Sequence, residues 1–267
     1  PQTAQVAMAF DEDGKSDQRR SMEDILSDHR HLDRGALLKE LLLVEIELRA
    51  LLDRYAVPLA TRLTSAGETP SERLVSYLAQ IDSAIRSFDT LEMAAFGFAC
   101  TGSSYLVGAE REAALVNAAE AKFGLPVITA TMAIAEELAV REATRVAILA
   151  PYPDSLIDAS VRYWSDAGLD VRACERLDIG EDTRAIYSLT DDEVVAAIAR
   201  FEPGAVDVTL LSGTGMPTIA ALTGADASMI SSNLCLATAI LRRTGCWPAG
   251  RPADIHSLLD YHEPGGC

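Results

Sequence analysis

The chain has 267 residues, 49% of them hydrophobic and 24% charged, with a formal net charge of −17. That length supports about two modest domains with their own cores, and the acidic balance argues against nucleic acid or an anionic membrane as partner, so an anionic substrate must be held by a local site against the global field. Without a long apolar run or a leader-like start, neither a membrane span nor a secretory signal is expected, and five cysteines without CxxC pairing (Cys100, Cys174, Cys235, Cys246, Cys267) predict no metal site and no disulfide framework, which suits a cytoplasmic protein.

Residues 1–34, with Asp11-Glu12-Asp13 and Asp28-His29-Arg30-His31, are polar and aperiodic and read as a peripheral or flexible N-terminal extension. From Gly35 to Leu48 the pattern is that of continuous helix, and helix-like Leu48 to Arg54 leads into apolar Tyr55 to Leu59. A buried strand is expected over Met93 to Ala99, ending in the turn Cys100-Thr101-Gly102-Ser103. A helix over Glu110 to Phe123 then closes at Gly124, a residue suited to the left-handed C-terminal position. Further strands fall at Val127 to Ala130, Arg145 to Ala150, Val171 to Cys174, Val206 to Leu211 and Met229 to Ser231, short apolar runs of the kind covered on both faces. Between them, Asp191 to Phe201 reads as a helix opened by Thr190 with Glu193 three residues on, a capping-box spacing. The last helix, Cys235 to Arg243, precedes a tail over 246–267.

This alternation predicts right-handed βαβ units and parallel sheets, and the order of elements occurs twice. Cys100 and Gly213 stand at one offset of 113 positions, shared by Arg49 and Arg162, by Asp53 and Asp166, and by Phe88 and Phe201. Long-period self-similarity signals duplicated structure. The two turns, Cys100-Thr101-Gly102-Ser103 and Ser212-Gly213-Thr214-Gly215, each follow a strand and so belong at the carboxyl edge of a parallel sheet, where α/β proteins bind ligands. One turn offers a thiol where its counterpart offers only backbone.

All four histidines (His29, His31, His256, His262) lie outside the duplicated core, which removes a Cys-His couple built at the strand ends. Neither GxGxxG after a first strand nor GxxxxGK[ST] occurs, so nucleotide binding has no support. Cys100, beside Thr101, Ser103 and Ser104 at a strand end, is placed where hydroxyl and backbone donors stabilise a thiolate. An inert buried cysteine is the competing reading.

Cys100-Thr101-Gly102-Ser103-Ser104, Ala150-Pro151-Tyr152, Ser212-Gly213-Thr214-Gly215 and Ser231-Ser232-Asn233 together resemble the Asp/Glu racemase superfamily, in its maleate isomerase and arylmalonate decarboxylase branch, over residues 46–245. The resemblance implies an α/β fold of two pseudo-symmetric Rossmann-like lobes, each a short, about four-stranded parallel sheet flanked by helices. Lobe 1 is expected over 35–135, completed by the helix 234–245, and lobe 2 over 136–233, with the active site in the cleft between them. It further implies cofactor-free chemistry beside a carboxylate of a small carboxylic acid, with Cys100 catalytic and Thr101, Ser103, Tyr152, Gly213, Thr214, Gly215 and Asn233 binding substrate. No nucleic acid or membrane partner is implied, and a homo-oligomer stays open.

Gly213 stands where such families place a second cysteine, which counts against two-base racemisation. Cis–trans isomerisation of a maleate-like diacid comes first, and arylmalonate-type decarboxylation with one proton-donating cysteine is the alternative. A degenerate member that only binds a small acid is the third reading. The family's Pro-Ser-x-Asn-Thr loop has no counterpart in the 35–48 stretch, where Lys39 falls opposite Tyr152 by numbering.

Overall fold

The computed structural model describes residues 4–11, 47–52, 55–180, 183–247 and 254–259. Two four-stranded parallel sheets carry the fold. The first has the order β2-β1-β3-β4, from β1 (Ala4–Asp11), β2 (Ala56–Leu63), β3 (Ala95–Ala99) and β4 (Val127–Thr129). In the second, β5 (Arg145–Ala150), β6 (Asp170–Arg176), β7 (Val208–Leu211) and β8 (Met229–Ser231) repeat it as β6-β5-β7-β8. The register repeats as well: Val6 lies beside Ala95 as Val146 lies beside Val208. Strand β3 is buried at all five residues, as expected of an interior parallel strand with both faces covered.

The first strand corrects the reading of residues 1–34 as a peripheral extension. Residues 4–11 form β1, paired on one side with β2 and on the other with β3. The chain between β1 and β2 runs over 12–55, whereas 151–169 suffices between β5 and β6. That longer connection displaced the opening strand from the 113-residue offset and hid it. It also cancels the numerical match of Lys39 with Tyr152: the strand equivalent to β5 ends at Asp11, and Lys39, with most of the 35–48 stretch, lies outside the described residues. Of that stretch, residues 47 and 48 belong to a helical segment over 47–52.

Local capping chemistry fixes the ends of several helices. α1 (Pro70–Leu78) opens on Thr69 and α7 (Asp191–Arg200) on Thr190, each with both halves of a capping box formed, through Glu72 and Glu193. The short α2 (Ile81–Arg86) follows α1. α3 (Thr101–Val107) follows Cys100, and α4 (Ala109–Phe123) ends at Gly124, whose φ of 69° is the left-handed conformation glycine tolerates. α5 (Ala130–Val140) and α6 (Asp154–Asp166) flank β5, and the four-residue α8 (Ile219–Leu222) precedes β8.

The final long helix, α9 (Ser232–Arg243), leaves β8 in the second lobe and packs on α5, β3 and β4 of the first. Its residues Ser232 to Leu241 are all buried, and Arg242 and Arg243 pair with Glu137 and Glu136 of α5. Part of the expected tail also packs: residues 254–259 place Ile255 and Leu258 in the core, and the His256 ring meets the Met229 carbonyl at 2.7 Å. Helices α3 and α6 meet between the sheets, where Tyr105, Tyr163 and Trp164 form edge-to-face contacts with centroids 5.0–6.1 Å apart.

Candidate active site

Because both sheets are parallel and share one topology, their carboxyl edges present equivalent turns, and the structure brings these together. A cavity of about 40 Å³ is lined by Cys100, Thr101 and Gly102 from the first turn and by Gly213 and Thr214 from the second, with Pro151 and Tyr152 after β5. Leu74 of α1, Leu156 of α6 and Ile186 complete the wall. Thr214 ties the turns directly, donating from Oγ1 to the Ala99 carbonyl at 2.8 Å.

The two turns differ in backbone as well as in side chain. Cys100 is extended (φ −153°, ψ 93°) and caps α3, and the Ser103 hydroxyl donates to its Sγ at 3.1 Å. Gly213 sits at φ +140°, where L side chains are strained. A Cβ there meets Pro151 at 3.2 Å and Ile186 at 3.3 Å. The glycine is therefore required by the second turn as built. Its N–H donates to Ser232 Oγ at 3.1 Å.

Among the described residues, the lining carries no charged side chain. Its polar groups are the Cys100 thiol, the hydroxyls of Thr101, Thr214 and Tyr152, and backbone. Thr101 Oγ1 and Tyr152 Oη lie 2.5 Å apart, and Tyr152 Oη is 3.3 Å from Ser212 Oγ. Burial raises the Tyr152 phenol above its ordinary value near 10, outweighing the opposing effect of its hydrogen-bond contacts with Ser212 and Thr101, so it remains a neutral hydroxyl.

Of the sequence-derived site residues, Cys100, Thr101, Tyr152, Gly213 and Thr214 line the cavity. Ser103 lies behind it, against the sulfur, and Gly215 is buried without lining it. Asn233 is placed differently from the expectation. Its Nδ2 donates to Glu47 Oε2 at 2.8 Å and to the Thr214 carbonyl at 2.9 Å, so it braces the second turn from behind.

Glu47 was missed by sequence reasoning. Its carboxylate is 5% exposed and accepts from the Thr218 backbone, from Thr218 Oγ1 at 2.9 Å, from the Ile219 N–H at 2.9 Å and from Asn233. Burial pushes its carboxyl above the ordinary 4.5, opposed by these bonds. The signal available was an acidic residue inside the apolar run Leu41-Leu42-Leu43-Val44-Glu45-Ile46-Glu47-Leu48. A helical carboxylate among leucines is either exposed by periodicity or buried with partners, and sequence alone does not separate the two.

Two sheets of order 2-1-3-4 facing each other across a cleft, with a thiol on one carboxyl edge, define a duplicated α/β protein of the Asp/Glu racemase type. The chain belongs to the arylmalonate decarboxylase family, whose model matches residues 75–253. No curated protein matches the chain.

Similar solved structures include the maleate cis–trans isomerase of Nocardia farcinica, as a Cys-to-Ser mutant with a covalently bound succinylcysteine intermediate (TM-score 0.73, 20% identity, 96% of this chain and 98% of that one). The maleate isomerase of Pseudomonas putida S16 matches with a TM-score of 0.71 at 20% identity, over 90% of this chain and 92% of that one. A Gly-to-Cys, Cys-to-Ser double mutant of arylmalonate decarboxylase in liganded form also gives 0.71, at 21% identity, over 94% and 97%.

Proposed function

We propose that the protein removes a carboxyl group from a small malonate-like diacid without a cofactor, with Cys100 supplying the proton that replaces it. The carrying observation is the mixed character of the cavity. It combines the thiol of Cys100 and the hydroxyls of Thr101, Tyr152 and Thr214 with an apolar wall of Leu74, Pro151, Leu156 and Ile186. A carboxylate against an apolar wall is poorly solvated and is relieved by leaving as neutral CO₂, whereas one held by hydroxyl donors accepts the developing charge.

In this reaction the bond between the α-carbon and the departing carboxylate breaks, and its electron pair moves into the retained carboxylate to give an enediolate. The Thr101 hydroxyl, which accepts from Tyr152, donates to that dianion. The S–H bond of Cys100 then breaks as its proton passes to the α-carbon, and the resulting thiolate, facing the Ser103 hydroxyl, is reprotonated from solvent. Because Gly213 offers no thiol opposite, protonation proceeds from one face.

Maleate isomerisation is the second reading, favoured by the donor on Cys100 Sγ, which suits a thiolate adding to a double bond. The absence of a charged lining group, among the described residues, to hold a second carboxylate places it after decarboxylation and reverses the order expected from the sequence. Proton NMR in deuterated buffer with phenylmalonate and with maleate separates the two. Decarboxylation yields phenylacetate carrying one deuteron, isomerisation yields fumarate, and no conversion of any malonate or cis-diacid leaves only a binding role.

A further inference from the structure

Behind the cavity runs a hydrogen-bonded chain that crosses between the lobes three times. The Trp164 indole nitrogen lies 3.1 Å from Tyr105 Oη, which lies 2.8 Å from Ser212 Oγ. Ser212 continues to Tyr152 at 3.3 Å and Tyr152 to Thr101 at 2.5 Å. All five residues are buried, none more than 5% exposed.

Hydroxyl chains ordinarily run in either direction, but an indole N–H only donates, so one end of this chain is fixed. Tyr105 must accept from Trp164, and its own proton has one other partner among the described residues, Ser212. Ser212 in turn donates to Tyr152, and Tyr152 to Thr101. The opposite order strands the Tyr105 proton in the core, which carries the cost of an unsatisfied buried donor. Thr101 therefore ends the chain with its proton unclaimed by any described residue, on the wall of the cavity beside Cys100.

Among the described residues, nothing nearby competes for these protons. Tyr163, packed against both Tyr105 and Trp164, gives its proton to Glu112 Oε2 at 2.6 Å, and Ser104 and Thr131 occupy the other oxygen of that carboxylate at 2.6 and 2.5 Å. Burial keeps the Tyr105 and Tyr152 phenols protonated, so each link retains its hydrogen.

We infer that Trp164, Tyr105 and Ser212 are positioning residues that order this chain so that Thr101 always points a donor at the substrate carboxylate. The inference rests on reading the cavity as a carboxylate site. It makes the second lobe the source of polarity for a hydroxyl carried by the first. Successive donors in such a chain also strengthen one another.

The test uses the full chain, labelled with ¹⁵N at its two tryptophans, and phenylacetate as the probe. Trp164→Phe assigns the Trp164 indole resonance and removes the fixed donor, Tyr105→Phe breaks the next link by deleting one oxygen, and Trp247→Phe serves as control. Each of the first two should weaken phenylacetate binding by about tenfold, the double variant should lose no more than either single one, and the control should bind as the wild type does. Thr101→Val should shift the Trp164 indole N–H resonance although four hydrogen bonds intervene, and bound phenylacetate should shift it too. A folded Trp164→Phe or Tyr105→Phe protein that binds phenylacetate at wild-type affinity overturns the inference, as does a Trp164 resonance unmoved by Thr101→Val. If the wild type binds no phenylacetate and converts no malonate, the proposed function falls, and the response to Thr101→Val alone decides whether the chain is ordered.

Discussion

The turn at Cys100 and the turn at Gly213 occupy equivalent ends of β3 and β7, yet only the first can carry a side chain toward the cavity without strain. The first keeps an extended backbone and a thiol with a hydroxyl donor; the second takes φ +140° and closes against Pro151 and Ile186. Duplication has thus been followed by a division of labour. One lobe presents the thiol, while the other presents most of the apolar wall and the anchored end of the hydroxyl chain. A missing second cysteine is here a property of the backbone, so restoring symmetry takes more than one substitution.

The comparison breaks most sharply at the thiol. Cys100→Ala should lower kcat by about 10³-fold, the range for loss of a positioned proton donor, with a melting temperature close to wild type. Turnover surviving at near wild-type rate would falsify Cys100 as the acid.

Next in size is the brace behind the second turn. Glu47→Leu leaves the Thr218 and Ile219 N–H groups and Asn233 without their acceptor and should cost about 3 kcal/mol in urea unfolding. Its titration has a definite sign. The folded-state pKa is raised above 4.5, so the stability linked to this group is fully present below the unfolded value and is lost as pH rises through the folded one. Glu47→Gln should lack that downward slope in stability above pH 4.5, and an identical slope in wild type and variant would remove Glu47 as its source.

Gly213→Cys sharpens the comparison from the other side. At φ +140° with Pro151 and Ile186 in contact, the variant should lose about 2 kcal/mol of stability. It should not bring α-proton exchange in deuterated buffer. Exchange at an appreciable rate would show that the second turn relaxes to hold a thiol opposite Cys100.

The smallest effect concerns the other cysteines. Burial pushes the Cys174 thiol up to about 11 and raises Cys235 further. Iodoacetamide at neutral pH should therefore label Cys100 ahead of both, with phenylacetate protecting only Cys100. Equal rates for Cys100 and Cys174 would count against a distinct environment at the cavity.

Both turns were legible because a thiol in one and a glycine in the other recur at a fixed offset after apolar strands, and the caps at Thr190 and Gly124 were legible because their chemistry is local. Strand β1 was not. Its Val6, Met8 and Phe10 alternate as a strand should, but a polar tract follows and the long connection to β2 breaks the repeat. Strand β2 carries Pro58, which it tolerates as an edge strand of its sheet, where a missing N–H breaks no ladder bond. Leu74, Leu156 and Ile186 could not be told from ordinary core residues, since periodicity assigns a side chain to a face and not to a cavity. Asn233 carried the right motif but the wrong neighbour, because Glu47 approaches it from 186 positions away in the chain.

Helix α9 also sets an order of events during biosynthesis. Strands β3 and β4 are complete by residue 129, but the helix that packs on them is encoded by residues 232–243. While the ribosome translates the whole second lobe, that face of the first remains bare, so the nascent chain carries an exposed apolar surface until its final segment emerges. A chain cut short before Ser232 retains both sheets and lacks that cover, and such truncated products should be retained by chaperones and cleared by proteases.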